Sequence, residues 1–227
     1  MRTLKRTYSV SELETFDESP QRYHSQYVLR RPHEPVLGKR EGLSASTRGD
    51  IIHKMIEYYG KGQPDPERLF NNVRIELEID DVTPEEKSDI LEQFKNFLNS
   101  RFASAKGARN EVPFLMKIKG DHVDGKLDML IEDGSSWEIV DFKTGESFDP
   151  TKSAKKYEFQ MHAYALAVAK ATGITKGRVA LFFMTGGTGK EYREEIDTDK
   201  LKEMEKRIER VIEGIKECTN FVSLRGA

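Results

Sequence analysis

The stretch that most constrains this chain is residues 124–143, Asp-Gly-Lys-Leu-Asp-Met-Leu-Ile-Glu-Asp-Gly-Ser-Ser-Trp-Glu-Ile-Val-Asp-Phe-Lys. Leu127 to Ile131 read as an apolar strand that carries one acid, Asp128. Asp133-Gly134 is a hairpin signal. Trp137 to Phe142 read as the return strand, ending in Asp141-Phe142-Lys143. Alternation places Asp141 and Lys143 on one face and Phe142 on the other. A short turn then brings Asp128 to the same end. The expected product is a hairpin that carries two carboxylates and one ammonium to a common point. Such a group is either a surface ion pair or a site for a hard divalent ion, which prefers a few carboxylate oxygens plus water. An ion there would acidify a bound water, and the lysine beside it could orient that water.

The flanking sequence bears on this choice. Ser9 to Glu12 fits a capping box, followed by a stripe of Val10, Leu13 and Phe16. Ser19-Pro20 opens a helix over about Gln21 to Leu29, with Tyr23 and Tyr27 one turn apart and Arg22 beside them. These aromatics read as core packing; the arginines read as surface charge or as phosphate contacts. Pro32 and Pro35 end that helix, and residues 32–44 read as loop with Lys39 and Arg40 at its tip. Residues 46–60 form an amphipathic helix with Ile51, Ile52, Met55, Ile56 and Tyr59 on its apolar face. His53 lies off that stripe, on the side of Gly49, so it either borders solvent or points into a cleft. A short acidic helix is expected around 67–78, and Thr83-Pro84-Glu85-Glu86 starts a structural one.

From Asn110 the period changes to that of strands. Glu111 to Ile118 reads as the first strand, with Glu111 either an edge residue or a further ligand. Residues 144–154 read as a loop leaving the Lys143 end, where substrate contacts would sit. A thin, alanine-rich helix over 155–171 carries Gln160 and Tyr164 on one face. Val179 to Met184 and Tyr192 to Ile196 read as a hairpin across Gly186-Gly187-Thr188-Gly189, which lacks the Lys-Ser/Thr of a phosphate loop. Asp197 or Thr198 caps a last helix to about Cys218.

Composition bounds the class. The 227 residues suit one domain, mainly helical over 1–105 and sheet-containing over 106–227. Charged residues make up 33% and the net charge is −2, so no global basic signature marks a nucleic-acid partner. Residues 1–61 carry eleven Lys and Arg against eight acids, and residues 62–100 carry four against ten. Any nucleic-acid track is therefore local, with 62–100 expected to face away from it. Cys218 is the single cysteine, which leaves no disulfide framework or zinc knuckle within one chain. The absence of an apolar leader or a membrane-length run makes a cytoplasmic protein the expectation.

Taken together, five signals in order resemble the RecB-type branch of the PD-(D/E)XK nuclease superfamily. They are Tyr8-Ser9-Val10-Ser11-Glu12-Leu13-Glu14-Thr15-Phe16 with Ser19-Pro20-Gln21-Arg22-Tyr23; Arg48-Gly49-Asp50-Ile51-Ile52-His53; Gly125-Lys126-Leu127-Asp128; Ile139-Val140-Asp141-Phe142-Lys143-Thr144-Gly145; and Gln160 to Tyr164. The resemblance implies a restriction-endonuclease-like α/β core, a central mixed sheet flanked by helices, with an N-terminal helical region. It implies a nuclease that hydrolyses DNA with Mg²⁺ or Mn²⁺, acting as an exonuclease or flap nuclease on single-stranded ends. Repair, recombination, and phage or CRISPR DNA processing are the settings it suggests.

The resemblance also carries residue roles. Asp128, Asp141, His53 and the Phe142 carbonyl would hold the metal, and Lys143 would position the water. Gln160 and Tyr164 would contact nucleic acid or brace the lysine, with Arg22 and Arg48 as further substrate contacts. Many relatives hold a [4Fe–4S] cluster through one N-terminal and three C-terminal cysteines. Here Ser19 stands where the first would precede Pro20, and only Cys218 is present, so no cluster is expected. The two ends of the domain would then be held by packing alone. The rival expectations are a catalytically silent nuclease fold that binds DNA or scaffolds a complex, and an α/β domain whose acids form structural ion pairs. A protein partner is not readable.

Overall fold

The computed structural model describes residues 6–31, 42–62, 65–144, 149–185 and 187–223, with side chains as far as 218. The loop tip at Lys39 and Arg40, and part of the turn at Gly186, lie outside the described residues. A six-stranded mixed sheet forms the centre. Its strands are β1 (Thr7–Ser9), β2 (Ala108–Ile118), β3 (Asp121–Glu132), β4 (Trp137–Lys143), β5 (Gly177–Phe183) and β6 (Lys190–Ile196). The order is β1-β3-β4-β5-β6, with β2 also paired to β3. The β1–β3 and β4–β5 pairs are parallel and the others antiparallel. The helices are α1 (Val10–Glu18), α2 (Pro20–Tyr23), α3 (Ala45–Gly60), α4 (Pro66–Glu76), α5 (Pro84–Leu98), α6 (Pro150–Thr172) and α7 (Thr198–Ser223). This is the restriction-endonuclease-like α/β arrangement expected.

Two apolar layers sandwich the sheet. On one side Leu13 of α1, Ala163 and Val168 of α6 and Ile208 of α7 pack on Val123, Leu127, Ile139 and Leu181. On the other, Ile51, Ile52 and Met55 of α3, Phe70 of α4 and Phe94 and Phe97 of α5 pack on Met129, Val140, Phe142 and Phe182. Both faces being covered explains why β4 and β5 are apolar runs and do not alternate with polar residues. The alanines that thin α6 are buried against the sheet.

Several local expectations need correction. The first strand is β1, not the one read from Glu111; it adds to β3 in parallel at Thr7↔His122 to Ser9↔Asp124. The strand read from Leu127 starts six residues earlier, at Asp121. Helix α6 begins at Pro150 behind an Asp149 cap, so residues 150–154 of the stretch read as loop are helical, while 145–148 lie outside the described residues. The helix read over 21–29 is α-helical only to Tyr23 and continues as a π-helical turn, His24–Val28. At Ser9 only half of the capping box forms. Glu12 N–H donates to Ser9 Oγ, but the Glu12 carboxylate is taken by Arg6 and Tyr23 at 2.5 and 2.8 Å. At Thr83 the box is complete.

The two ends of the chain are not joined by packing alone. Arg207 of α7 reaches Asp17 of α1 at 2.6 Å, and Lys216 reaches Asp121 of β3 at 2.5 Å. Close approach supports these pairs, because a Cβ at Gly214 would crowd the Phe16 ring to 2.8 Å. At the far end of the sheet the Trp137 ring covers Gly177, leaving no room for a side chain there, and donates its indole N–H to the Ile174 carbonyl at 2.8 Å. Gly177→Ala should therefore lower stability by about 1–3 kcal/mol, the usual cost of overpacking. Urea unfolding followed by fluorescence of the single tryptophan reads this directly, and an unchanged midpoint would show that the contact is loose.

Candidate metal and catalytic centre

The site grows from a fork in the sheet. One edge of β3 pairs with β2, while its other edge pairs with β1 at residues 122–124 and with β4 at residues 129–132. Between those two partners, residues 125–128 face a gap. At its inner corner Asp128 Oδ2 accepts the Phe142 N–H at 2.8 Å. A side chain thus stands in for the missing ladder partner, and the bond fixes Asp128 against Asp141-Phe142-Lys143.

The alternation of β3 breaks at that point. Leu127 packs with the α1, α6 and α7 layer, whereas Met129 packs with the α3, α4 and α5 layer. Residues two apart on a regular strand would share a face. Strand β2 breaks in step, since Ala108 packs on the α3 side and Val112 and Phe114 on the other. Register is kept, with Asn110 opposite Met129 and Val112 opposite Leu127. Between them Glu111 adopts a left-handed backbone with φ +53, costly for a residue with a Cβ. The paired irregularity brings the Glu111 and Asp128 carboxylates together beneath α3.

Helix α3 supplies the imidazole. His53 Nδ1 lies 3.5 Å from Asp128 Oδ1, and the ring meets Phe142 edge-on with centroids 6.4 Å apart. One ligand atom each from His53, Glu111 and Asp128 fall within 4.8 Å of one another. Gly49, one turn before His53, lets α3 lie close to the end of β4: a Cβ there would stand 3.3 Å from Thr144 Oγ1. An open cleft of about 400 Å³ runs past Gly49, Asp50, His53, Glu111 and Asp128. Leu77, from the acidic segment 62–100, also lines it. Glu111 is additionally ion-paired with Lys126 across the strands.

The lysine half sits on the opposite face. Lys143 Nζ lies 2.6 Å from Asp141 Oδ2 and 3.3 Å from Gln160 Oε1, and Gln160 donates in turn to the Tyr164 hydroxyl at 2.9 Å. Gln160 thus links the lysine to Tyr164 through hydrogen bonds. Tyr157, which sequence reasoning missed, places its ring 4.0 Å from the ammonium. Its spacing one turn before Gln160 was the available signal. Arg22 pairs with Glu18 at 3.3 Å and Arg48 with Asp89 at 3.8 Å.

Electrostatics mark the cluster as incomplete in itself. Asp141 is 2% exposed. Burial, and after it the Asp128 charge, push its carboxyl up to about 6 against the pull of Lys143. Although Lys143 is in ion-pair range, Asp141 Oδ2 has no donor in hydrogen-bond alignment among the described residues. Burial opposes charge on Asp128 too, but His53 and the Phe142 N–H outweigh it and hold that group below the usual carboxylate range. For His53, burial disfavours the cation, yet Asp128, with Asp141 and Glu111, raises it to about 9. A buried carboxylate lacking an aligned donor, beside further carboxylates and an imidazole, fits a hard divalent cation. His53, Asp128, Glu111 and Asp141 are the side chains that could hold it.

The described architecture is thus an α/β fold whose central strands present a carboxylate–lysine pair, joined by an imidazole from a flanking helix. The chain belongs to the PD-(D/E)XK nuclease superfamily, whose family model matches residues 7–222. It is similar to an ATP-dependent helicase/nuclease subunit of Bacillus licheniformis, at 27% identity over 216 residues, covering 79% of this chain and 17% of that protein. The subunit of the same name from Clostridium kluyveri is 23% identical over 197 residues, covering 75% of this chain and 15% of that protein. The chain therefore spans about a sixth of the length of these relatives. A protein from Eubacterium rectale whose crystal structure carries an exonuclease assignment shares the fold. Its TM-score is 0.57 at 17% identity, over 91% of this chain and 82% of that one.

The His53–Asp128 pair gives a pH prediction for the metal-free protein. His53 is raised from an ordinary 6.5 to about 9. Its contribution to stability is then full below pH 6.5 and is lost as pH rises through 9. Urea titrations in EDTA should show wild type losing stability over that window relative to His53→Gln. Parallel pH profiles for the two proteins would mean that the pair does not form.

Proposed function

We propose that this chain is a divalent-metal-dependent nuclease that hydrolyses phosphodiester bonds in DNA, with Mg²⁺ or Mn²⁺ as the metal. The observation that carries this reading is the convergence of Asp128, Asp141 and Lys143 from two strands at one fork, with His53 beside them. When bound, the metal would acidify a water and offset charge on the phosphate. His53, Asp128, Asp141 and the Phe142 carbonyl are the proposed ligands. Glu111 is a further one, released from Lys126.

Lys143 is proposed as the group that orients the attacking water and meets the negative charge that develops on the phosphate. It can do so only if its ammonium is held in one place. Gln160, Tyr164 and Tyr157 supply that hold from the rigid helix α6, where side chains are positioned more sharply than on a loop. Asp128 serves twice, because its Phe142 bond orients the carboxylate while its other oxygen remains directed to His53. Arg48 and Arg22 could serve as phosphate contacts by exchanging their carboxylate partners for the DNA backbone.

The relatives' name couples a helicase to a nuclease, and this chain matches only a small share of their length. We assign it the nuclease part of that name. Single-stranded ends are the proposed substrate, with repair or recombination as the setting. The rival reading, a silent scaffold, is disfavoured by the presence of all three catalytic side chains.

End-labelled single- and double-stranded DNA incubated with Mn²⁺ or with EDTA tests the proposal. Cleavage in Mn²⁺ alone is expected, shortening the single-stranded substrate from its ends. Asp128→Ala, Asp141→Ala and Lys143→Ala should each reduce the rate by about a hundredfold or more while the circular dichroism stays native. Wild-type protein that leaves both substrates intact would favour the scaffold, and an active Lys143→Ala would remove the lysine from the mechanism.

A further inference from the structure

Glu14 takes no part in the cluster described above. It lies on α1, which packs its Val10 and Leu13 into the layer shared with α6. Its Oε1 is buried and has no hydrogen-bond partner among the described residues. Such an atom normally costs stability, so its presence calls for a reason. Its surroundings suggest one. Beside burial and the neighbouring Glu18, the groups acting on Glu14 are Lys143, Asp141 and the backbone of Gln160. The carboxylate therefore lies against α6 at the Gln160 backbone, with Lys143 and Asp141 among the charges that act on it.

Charge accounting gives this placement a purpose. Without metal, Asp141 is the counter-ion of Lys143 at 2.6 Å. If Asp141 turns its charge to a cation, the lysine loses that partner inside the protein. Gln160 and Tyr157 can hold the ammonium but carry no charge. A buried, unpaired ammonium is costly. Asp128 is already directed to His53 and the Phe142 N–H, which leaves Glu14 as the nearby carboxylate with an uncommitted oxygen.

We propose that Glu14 is a positioning residue: it takes over as the counter-ion of Lys143 when Asp141 engages the metal, and so couples metal binding to the placement of the lysine. This rests on the nuclease reading above. It goes further by naming a residue outside the Asp-x-Lys and histidine motifs and by giving α1 a part in the site.

The coupling is measurable without DNA. Calorimetric titration of Mn²⁺ into wild type, Glu14→Gln, Lys143→Met and the double variant forms a double-mutant cycle. The glutamine keeps shape and hydrogen-bonding capacity, and circular dichroism confirms folding. Glu14→Gln alone should weaken Mn²⁺ binding by about fivefold or more, a typical coupling between sites. In the Lys143→Met background the same change should alter the Kd by less than about twofold, the margin within which independent changes add. A wild-type Kd in Glu14→Gln overturns the proposal. So does an equal loss in both backgrounds, which would make Glu14 a direct ligand of the ion. Wild type that binds no Mn²⁺ would overturn the nuclease reading and this inference together, and that titration comes before any variant is made.

Discussion

One hydrogen bond organises this site: the Phe142 N–H donates to the Asp128 carboxylate where β3 has let go of β4. A buried backbone N–H must be satisfied. Here a carboxylate satisfies it in place of a strand. The gap between β1 and β4 along β3 is therefore stable as a gap, and the side chains around it converge without a covering strand. Asp141 and Lys143 are carried to that corner by β4, and His53 by α3. If Asp128 made no such bond, the fork would either close by further pairing or leave the N–H unpaired.

The two faces of the sheet divide the chemistry. On the α3 side, His53, Glu111 and Asp128 gather around an open cleft. On the α6 side, Lys143 is caged by Gln160, Tyr157 and the Tyr164 that backs them. Asp141 joins the halves, being buried at the strand end with Lys143 on one side and the charge of Asp128 on the other. Rigid elements hold both halves. The two carboxyls are pushed in opposite directions, Asp141 up and Asp128 down, as is common at functional sites.

Much of this was legible in the residues. The Asp133-Gly134 turn and the apolar runs on either side gave the hairpin, and with it the meeting of Asp128 and Asp141. The helical spacing of Gln160 and Tyr164 placed both on one face, and Gly49 sits on the His53 side of α3. What could not be read has physical causes. The left-handed backbone at Glu111 is a tertiary outcome: glutamate has no local preference for it, so period-two reading carries the wrong face through that point. The three residues of β1 are too few to show a period. Tyr157 reads like any half-buried aromatic until Lys143 is placed beside it. The salt bridge from Arg207 to Asp17 joins residues 190 positions apart, which no local pattern encodes.

The central claim is that His53, Asp128 and Asp141 converge on one cation. Anomalous diffraction from crystals grown with Mn²⁺ tests it most directly. The account predicts a single strong peak at the β3–β4 fork, within about 2.0–2.3 Å of a carboxylate oxygen from each aspartate and of an imidazole nitrogen of His53. A peak bound elsewhere on the surface, or ordered density for Asp128 and Asp141 with no ion between them at saturating Mn²⁺, would contradict it.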